Sequence, residues 1–180
     1  MTIPFQRTSR DYLVDEYLPK IRLSVAPLTE DDIWWRPAAG SNSIGNLILH
    51  IEGNARQWIL GGVGGQENER DRDAEFSATS GQHKADLLAR LATSFREIGA
   101  LIEAVPDVTL SEPRTIQGAE TTVFSAIYHV VEHVSMHTGQ IIQIAKWRAP
   151  GAIRLYDASS NAFTPLWSAD DGGKRTTPQS

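Results

Sequence analysis

From Val123 onward, apolar residues return at alternating steps of four and three: Val123, Ile127, Val130, Val134, Ile141 and Ile144. His137 stands in that series where an aliphatic residue is due. The rhythm predicts a long helix from about 122 to 147 with one buried face, halted before Ala149-Pro150-Gly151. Three further stretches carry the same period. Ser9 to Val25 puts Tyr12, Leu13, Tyr17, Ile21 and Val25 on one side, with Pro19 expected to kink the helix or break it near Leu18. Ser43 caps a helix from 44 to about 60 that buries Ile44, Leu47, Ile51, Ala55 and Trp58 and is stopped by Gly61-Gly62. A fourth helix starts at Thr79 or Ser80, runs through Leu88, Leu91, Phe95, Ile98, Ile102 and Val105, and closes at Pro106.

The connections read as follows. Thr29-Glu30-Asp31-Asp32 caps a short turn carrying Ile33, Trp34 and Trp35, the two tryptophans sealing one end of the core. Gly61-Gly62-Val63-Gly64-Gly65 follows a helix instead of opening one and lacks a Gly-Lys-Ser/Thr ending, so it is no phosphate cradle. It reads as a helix stop leading into a flexible, charged loop at Glu69-Arg70-Asp71-Arg72-Asp73. Residues 106–120 are irregular, with a small extended excursion at Thr115-Ile116-Gln117-Gly118. Tyr156, Phe163, Leu166 and Trp167 are expected to pack on the helices as an extended tail. The prediction is an all-α, four-helix bundle over residues 1–168, with a polar C-terminal tail at 169–180.

Composition narrows the chemistry. The chain has 180 residues and a net charge of −5, which argues against nucleic acid as a partner, because phosphate neutralisation needs a basic face. It has no cysteine, which removes disulfides, thiolate ligands, iron–sulfur clusters and a cysteine nucleophile. Any metal must therefore take nitrogen or oxygen ligands. The opening Met1-Thr2-Ile3-Pro4-Phe5-Gln6-Arg7 has no apolar signal region, and no run approaches a membrane span of ~20 residues. A cytoplasmic location is the expectation.

Three of the five histidines lie on the last helix at intervals of four: His129, His133 and His137. Residues four apart share a face, so two such imidazoles can grip one ion. At roughly 100° per residue, His133 lies about 40° from His137, inside the apolar stripe, and His129 about 80° off, at its margin. His129 and His137 are also roughly 12 Å apart along the axis, too far to share an ion. The favoured pair is His133 with His137. Two hydrogen-bonded core histidines would give the same pattern, and the helix alone leaves both readings open. His50 sits one turn after Leu47, on the shoulder of its stripe, where periodicity permits an inward ring without demanding it. His83 lies among polar residues and reads as a surface histidine.

Two motifs carry a family likeness. Ser43-Ile44-Gly45-Asn46-Leu47-Ile48-Leu49-His50-Ile51-Glu52-Gly53-Asn54-Ala55-Arg56-Gln57-Trp58 resembles the second helix of the DinB/YfiT-like superfamily, and His133-Val134-Ser135-Met136-His137-Thr138-Gly139-Gln140-Ile141-Ile142 resembles its fourth. The likeness extends weakly through Trp34-Trp35-Arg36-Pro37 and Arg70-Asp71-Arg72-Asp73-Ala74-Glu75-Phe76. It implies an up-down-down-up bundle, often dimeric, with a divalent metal held by one histidine of the second helix and two of the fourth. Here those roles fall on His50, His133 and His137. Met136 and Thr138 stand where many relatives carry a further histidine and an arginine.

Three imidazoles leave coordination positions open, as catalytic sites do, and suit Zn²⁺, Ni²⁺, Cu²⁺ or Fe²⁺. Val134 occupies the position where a zincin pattern has its glutamate, and Glu132 points about 60° away from His133 at roughly 100° per residue, so neither serves as a general base. Asn54 and Gln140, each a turn beyond a histidine, are candidate contacts to a ligand or substrate. Gly139 is expected to admit a neighbouring helix, and Glu52 to face solvent. The resemblance implies a metal-dependent enzyme acting on a small molecule, by thiol-dependent S-transfer with a low-molecular-weight thiol or by metal-hydroxide hydrolysis. A non-catalytic metal-binding stress-response protein is the alternative.

Overall fold

In the computed structural model, residues 4–157 and 164–167 are described. The chain is mostly helical, with two small antiparallel hairpins. Helix α1 (5–25) comprises Phe5–Asp11, a wider-turned segment Tyr12–Tyr17 and Leu18–Val25. Then come α2 (Glu30–Trp34), α3 (44–63, with Ile44–Ala55 regular and Arg56–Val63 again widened), α4 (Arg72–Ser77), α5 (Lys84–Ala104) and α6 (Val123–Arg148). Strands β1 (Pro113–Ile116) and β2 (Ala119–Thr122) pair through Ile116 and Ala119, while β3 (Tyr156–Asp157) pairs with β4 (Thr164–Pro165).

The four long helices meet in one core. Leu13 and Ile21 of α1, Ile44 and Ile51 of α3, Leu91 and Phe95 of α5, and Val130, Val134 and Ile141 of α6 are all fully buried. Each such side chain contributes about 1.5–3 kcal/mol by leaving water. Helix α1 packs on α5 and α6, and α3 packs on the same two. Trp34 and Trp35 rest against this core, and a Cβ at Gly45 would collide with the Trp34 ring.

Several expectations need correction. Helix α1 begins at Phe5, not Ser9, and the expected interruption near Leu18 takes the form of a widened segment, Tyr12–Tyr17, after which the regular helix resumes at Leu18 with Pro19 in its first turn. The widened turn just before Leu18 shifts the backbone where the proline ring would otherwise clash with the carbonyl four residues earlier. Helix α3 runs through Gly61-Gly62 to Val63, and glycine at position 62 lets Ile116 of β1 approach, since a Cβ there would fall on its side chain. Helix α5 starts at Lys84, four or five residues late, with His83 preceding it. The charged loop contains α4, capped by Asp71, whose side chain accepts from Ala74 N–H. The excursion near residue 116 is a true hairpin, its two-residue turn made by Gln117 and Gly118, both at positive φ. The protein is thus not purely α.

At the C-terminal end, Tyr156 meets Trp167 edge-on at 4.9 Å between ring centroids, and Lys20 lies 4.3 Å from the Trp167 ring. Phe163 and the expected polar end from Asp170 to Ser180 lie outside the described residues. No described helix is long and apolar enough to cross a membrane.

Candidate metal centre

The apolar faces of α3 and α6 pack together, and His50 enters that seam from the middle of α3 while His133 and His137 enter from α6. Their ring centroids form a triangle with sides of 4.9 Å (His50–His133), 5.0 Å (His50–His137) and 4.5 Å (His133–His137). Each offers one ring nitrogen, and the three nitrogens lie within 4.8 Å of one another, close enough to hold a metal ion. His50 Nε2 and His133 Nε2 are 3.1 Å apart.

His50 and His137 are buried, His133 half-buried. Burial, reinforced by His137 and His50, pushes the His133 pKa down to about 3, and burial also lowers that of His137 against the opposing bond to Gln140. His133 and His137 are therefore neutral imidazoles, the form that ligates metals. His137 Nδ1 stands 2.8 Å from Gln140 Oε1, which leaves its Nε2 facing the triangle. His133 Nδ1 is buried without a hydrogen-bond partner. Imidazoles crowded onto one point, with no thiolate among them, fit a borderline divalent transition ion and do not suit Mg²⁺ or Ca²⁺.

The other residues singled out from the sequence lie outside this group of three. His129 packs at a tilt on Trp58, ring centroids 4.1 Å apart, one helical turn before His133 and outside the group of three. Asn54 is buried on α3, its Oδ1 without a partner. His83 is exposed at the start of α5. Glu52 is not at the surface as expected: it is buried, accepting from Arg90 at 2.8 Å and from Ser94 at 2.8 Å, because it faces α5. Gly139 receives no neighbouring helix, since a Cβ there would meet nothing within 4 Å.

Sequence reasoning missed two residues. Glu75 of α4 and Arg70 just before it fold back over His50, with Glu75 Oε2 3.0 Å and Arg70 Nη2 3.1 Å from His50 Nδ1. Burial alone would raise the Glu75 carboxyl, but the Arg70 and His50 contacts outweigh it and hold it below the usual carboxylate range. The segment is tied down from α3, where Asn46 Nδ2 donates to the carbonyls of Glu75 and Ala78, both at 2.8 Å. A cleft of about 370 Å³ opens beside Gln140, between α3 and α6, lined by Pro37, Asn42, Leu47, Gln143, Ile144 and Trp147 among others.

Residues 7–153 match the model of a family described as a protein of unknown function (DUF1572). No curated protein matches the chain.

Proposed function

The chain belongs to the DUF1572 family of proteins of unknown function, and on the geometry of its histidines we propose that it is a metal-dependent enzyme acting on a small molecule. His50, His133 and His137 hold one divalent transition metal, of which Zn²⁺, Ni²⁺ and Fe²⁺ are the candidates. The observation that carries this reading is the convergence of three ring nitrogens from two helices on one point. The likeness of both helices to the DinB/YfiT-like superfamily supports the same ligand set and an up-down-down-up four-helix bundle. The packing of α1 and α3 each on α5 and α6 suits that order.

Three imidazoles leave at least one coordination position for water or substrate, as in catalytic centres. When bound, such an ion lowers the pKa of a coordinated water or thiol toward neutrality. The chain's own residues would do the rest. Gln140 orients His137 through Nδ1, and the unpartnered Asn54 Oδ1, one turn from His50, is free to accept from a bound molecule. The cleft beside Gln140 has no ionisable side chain in its lining, which favours an uncharged substrate partly stacked on Trp147. The chemistry is thiol-dependent S-transfer, with a low-molecular-weight thiol as cosubstrate, or hydrolysis by an activated water. A homodimer completes the proposal: Tyr12, Phe124 and Tyr128 are exposed aromatics on α1 and α6.

The test is turnover by chelator-treated and metal-reloaded protein against a panel of thiols with electrophilic acceptors and of simple esters and amides. Metal-dependent turnover of one panel member is the expected result. Metal uptake without turnover would instead indicate a non-catalytic metal-binding stress-response protein.

A further inference from the structure

His50 Nδ1 has two neighbours that make opposite demands. A guanidinium nitrogen can only donate, so a bond from Arg70 Nη2 would require a bare Nδ1 and put the ring proton on Nε2. A carboxylate can only accept, so a bond to Glu75 Oε2 requires Nδ1–H and leaves the Nε2 lone pair facing His133 and His137. Arg70 Nη2 keeps a second hydrogen, but a bare Nδ1 would set its lone pair against the anionic Glu75 Oε2 at 3.0 Å, a repulsion that Nδ1–H turns into a bond. The Arg70 guanidinium is held mainly by that same carboxylate. Its Nε donates to Glu75 Oε1 at 2.6 Å, its Nη2 to Glu75 Oε2 at 2.8 Å and its Nη1 to Gln57 Oε1 at 3.0 Å. This fork-on-fork pairing is the strong form of the interaction and points both carboxylate oxygens in fixed directions.

Glycine at position 53 supplies an independent observation. It lies inside the regular part of α3, where glycine is disfavoured relative to alanine. A Cβ there would fall on Glu75 Oε1 and lie 3.1 Å from both Arg70 Nε and Glu75 Cδ. A free carboxylate would swing aside at little cost. This one is buried and bonded through both oxygens.

We propose that Glu75 is the positioning residue of the centre: with Arg70 fixing its carboxylate, it holds His50 in the Nδ1–H tautomer, and Gly53 is required because that carboxylate occupies the space of a Cβ. Its consequence for affinity rests on the metal reading above; the tautomer itself needs no metal.

The experiment uses the full chain. In chelator-treated protein, long-range ¹H–¹⁵N spectra, with His50 identified by loss of its signals in His50→Gln, should show Nδ1 protonated. That state should persist in Glu75→Gln, whose amide oxygen still accepts, and vanish in Glu75→Ala. Zn²⁺ affinity, read by competition with a chromophoric chelator, should fall roughly 10–100-fold in Glu75→Ala. It should fall comparably in Gly53→Ala, and no further when the two are combined, since the added methyl then has nothing to strike. Nε2 protonation of His50 in the unsubstituted chain, or losses that multiply in the double variant, would overturn the proposal. Absence of Zn²⁺ binding in every protein with the tautomer pattern intact would sink the metal reading and leave the positioning role standing.

Discussion

His133 is the most strongly perturbed of the three histidines. Its pKa of about 3 follows from burial beside two other imidazoles, so it stays neutral and basic toward a metal at any physiological pH. Replacing a ligand removes a coordinating atom, whereas replacing a neighbour removes only packing. His50→Ala, His133→Ala and His137→Ala should each reduce bound metal, read by elemental analysis after purification without a metal-affinity step, to a small fraction of one ion per chain. His129→Ala and His83→Ala should retain it. Equal loss in His129→Ala would mean that the wrong pair on α6 has been chosen. Helical phase alone separates His133 and His137 from His129, which packs on Trp58. Phase does not settle His50, because a residue on the shoulder of a stripe turns in or out according to its neighbours. Glu75 was out of reach entirely: it sits in a run of charged residues, and only the fold selects which carboxylate is buried.

At the scale of elements, glycines mark where helices must approach something. In Gly62→Ala the gain in helix propensity of about 1 kcal/mol is opposed by collision with Ile116 of β1. Overpacking of this kind costs roughly 1–3 kcal/mol, so the variant should be net destabilised in urea unfolding. Gly139→Ala is the contrasting case, on an exposed face with open space around it. It should stabilise by roughly 0.5–1 kcal/mol. Asn46 joins two elements, since its Oδ1 accepts from Ser43 N–H at the start of α3 while its Nδ2 holds the carbonyls of Glu75 and Ala78. Asn46→Ala should cost about 2 kcal/mol or more, from a lost cap and two unsatisfied carbonyls, and should weaken metal binding by loosening α4. The long helices were legible because a 3.6-residue period survives in the chain. The short α4 was not, because tertiary bonds from Asn46 and Arg36 hold it and leave no period to read.

For the whole molecule, the site is a product of connectivity. The segment that joins α3 to α5, two helices packed on each other, doubles back to carry Arg70 and Glu75 over His50 on its way. A metal held between α3 and α6 ties together residues 83 positions apart in the chain, so binding must favour the folded state. At a free metal concentration 100 times Kd the expected gain is about 2.7 kcal/mol, visible as a rise in the urea midpoint that is absent in His137→Ala. Everything here rests on three imidazoles sharing one ion. X-ray absorption at the metal edge of protein as purified reads that shell. Three imidazole nitrogens at roughly 2.0–2.1 Å are expected if the ion is zinc. A protein that carries no metal and takes up none, or an ion whose shell is unchanged in His50→Ala, would contradict it.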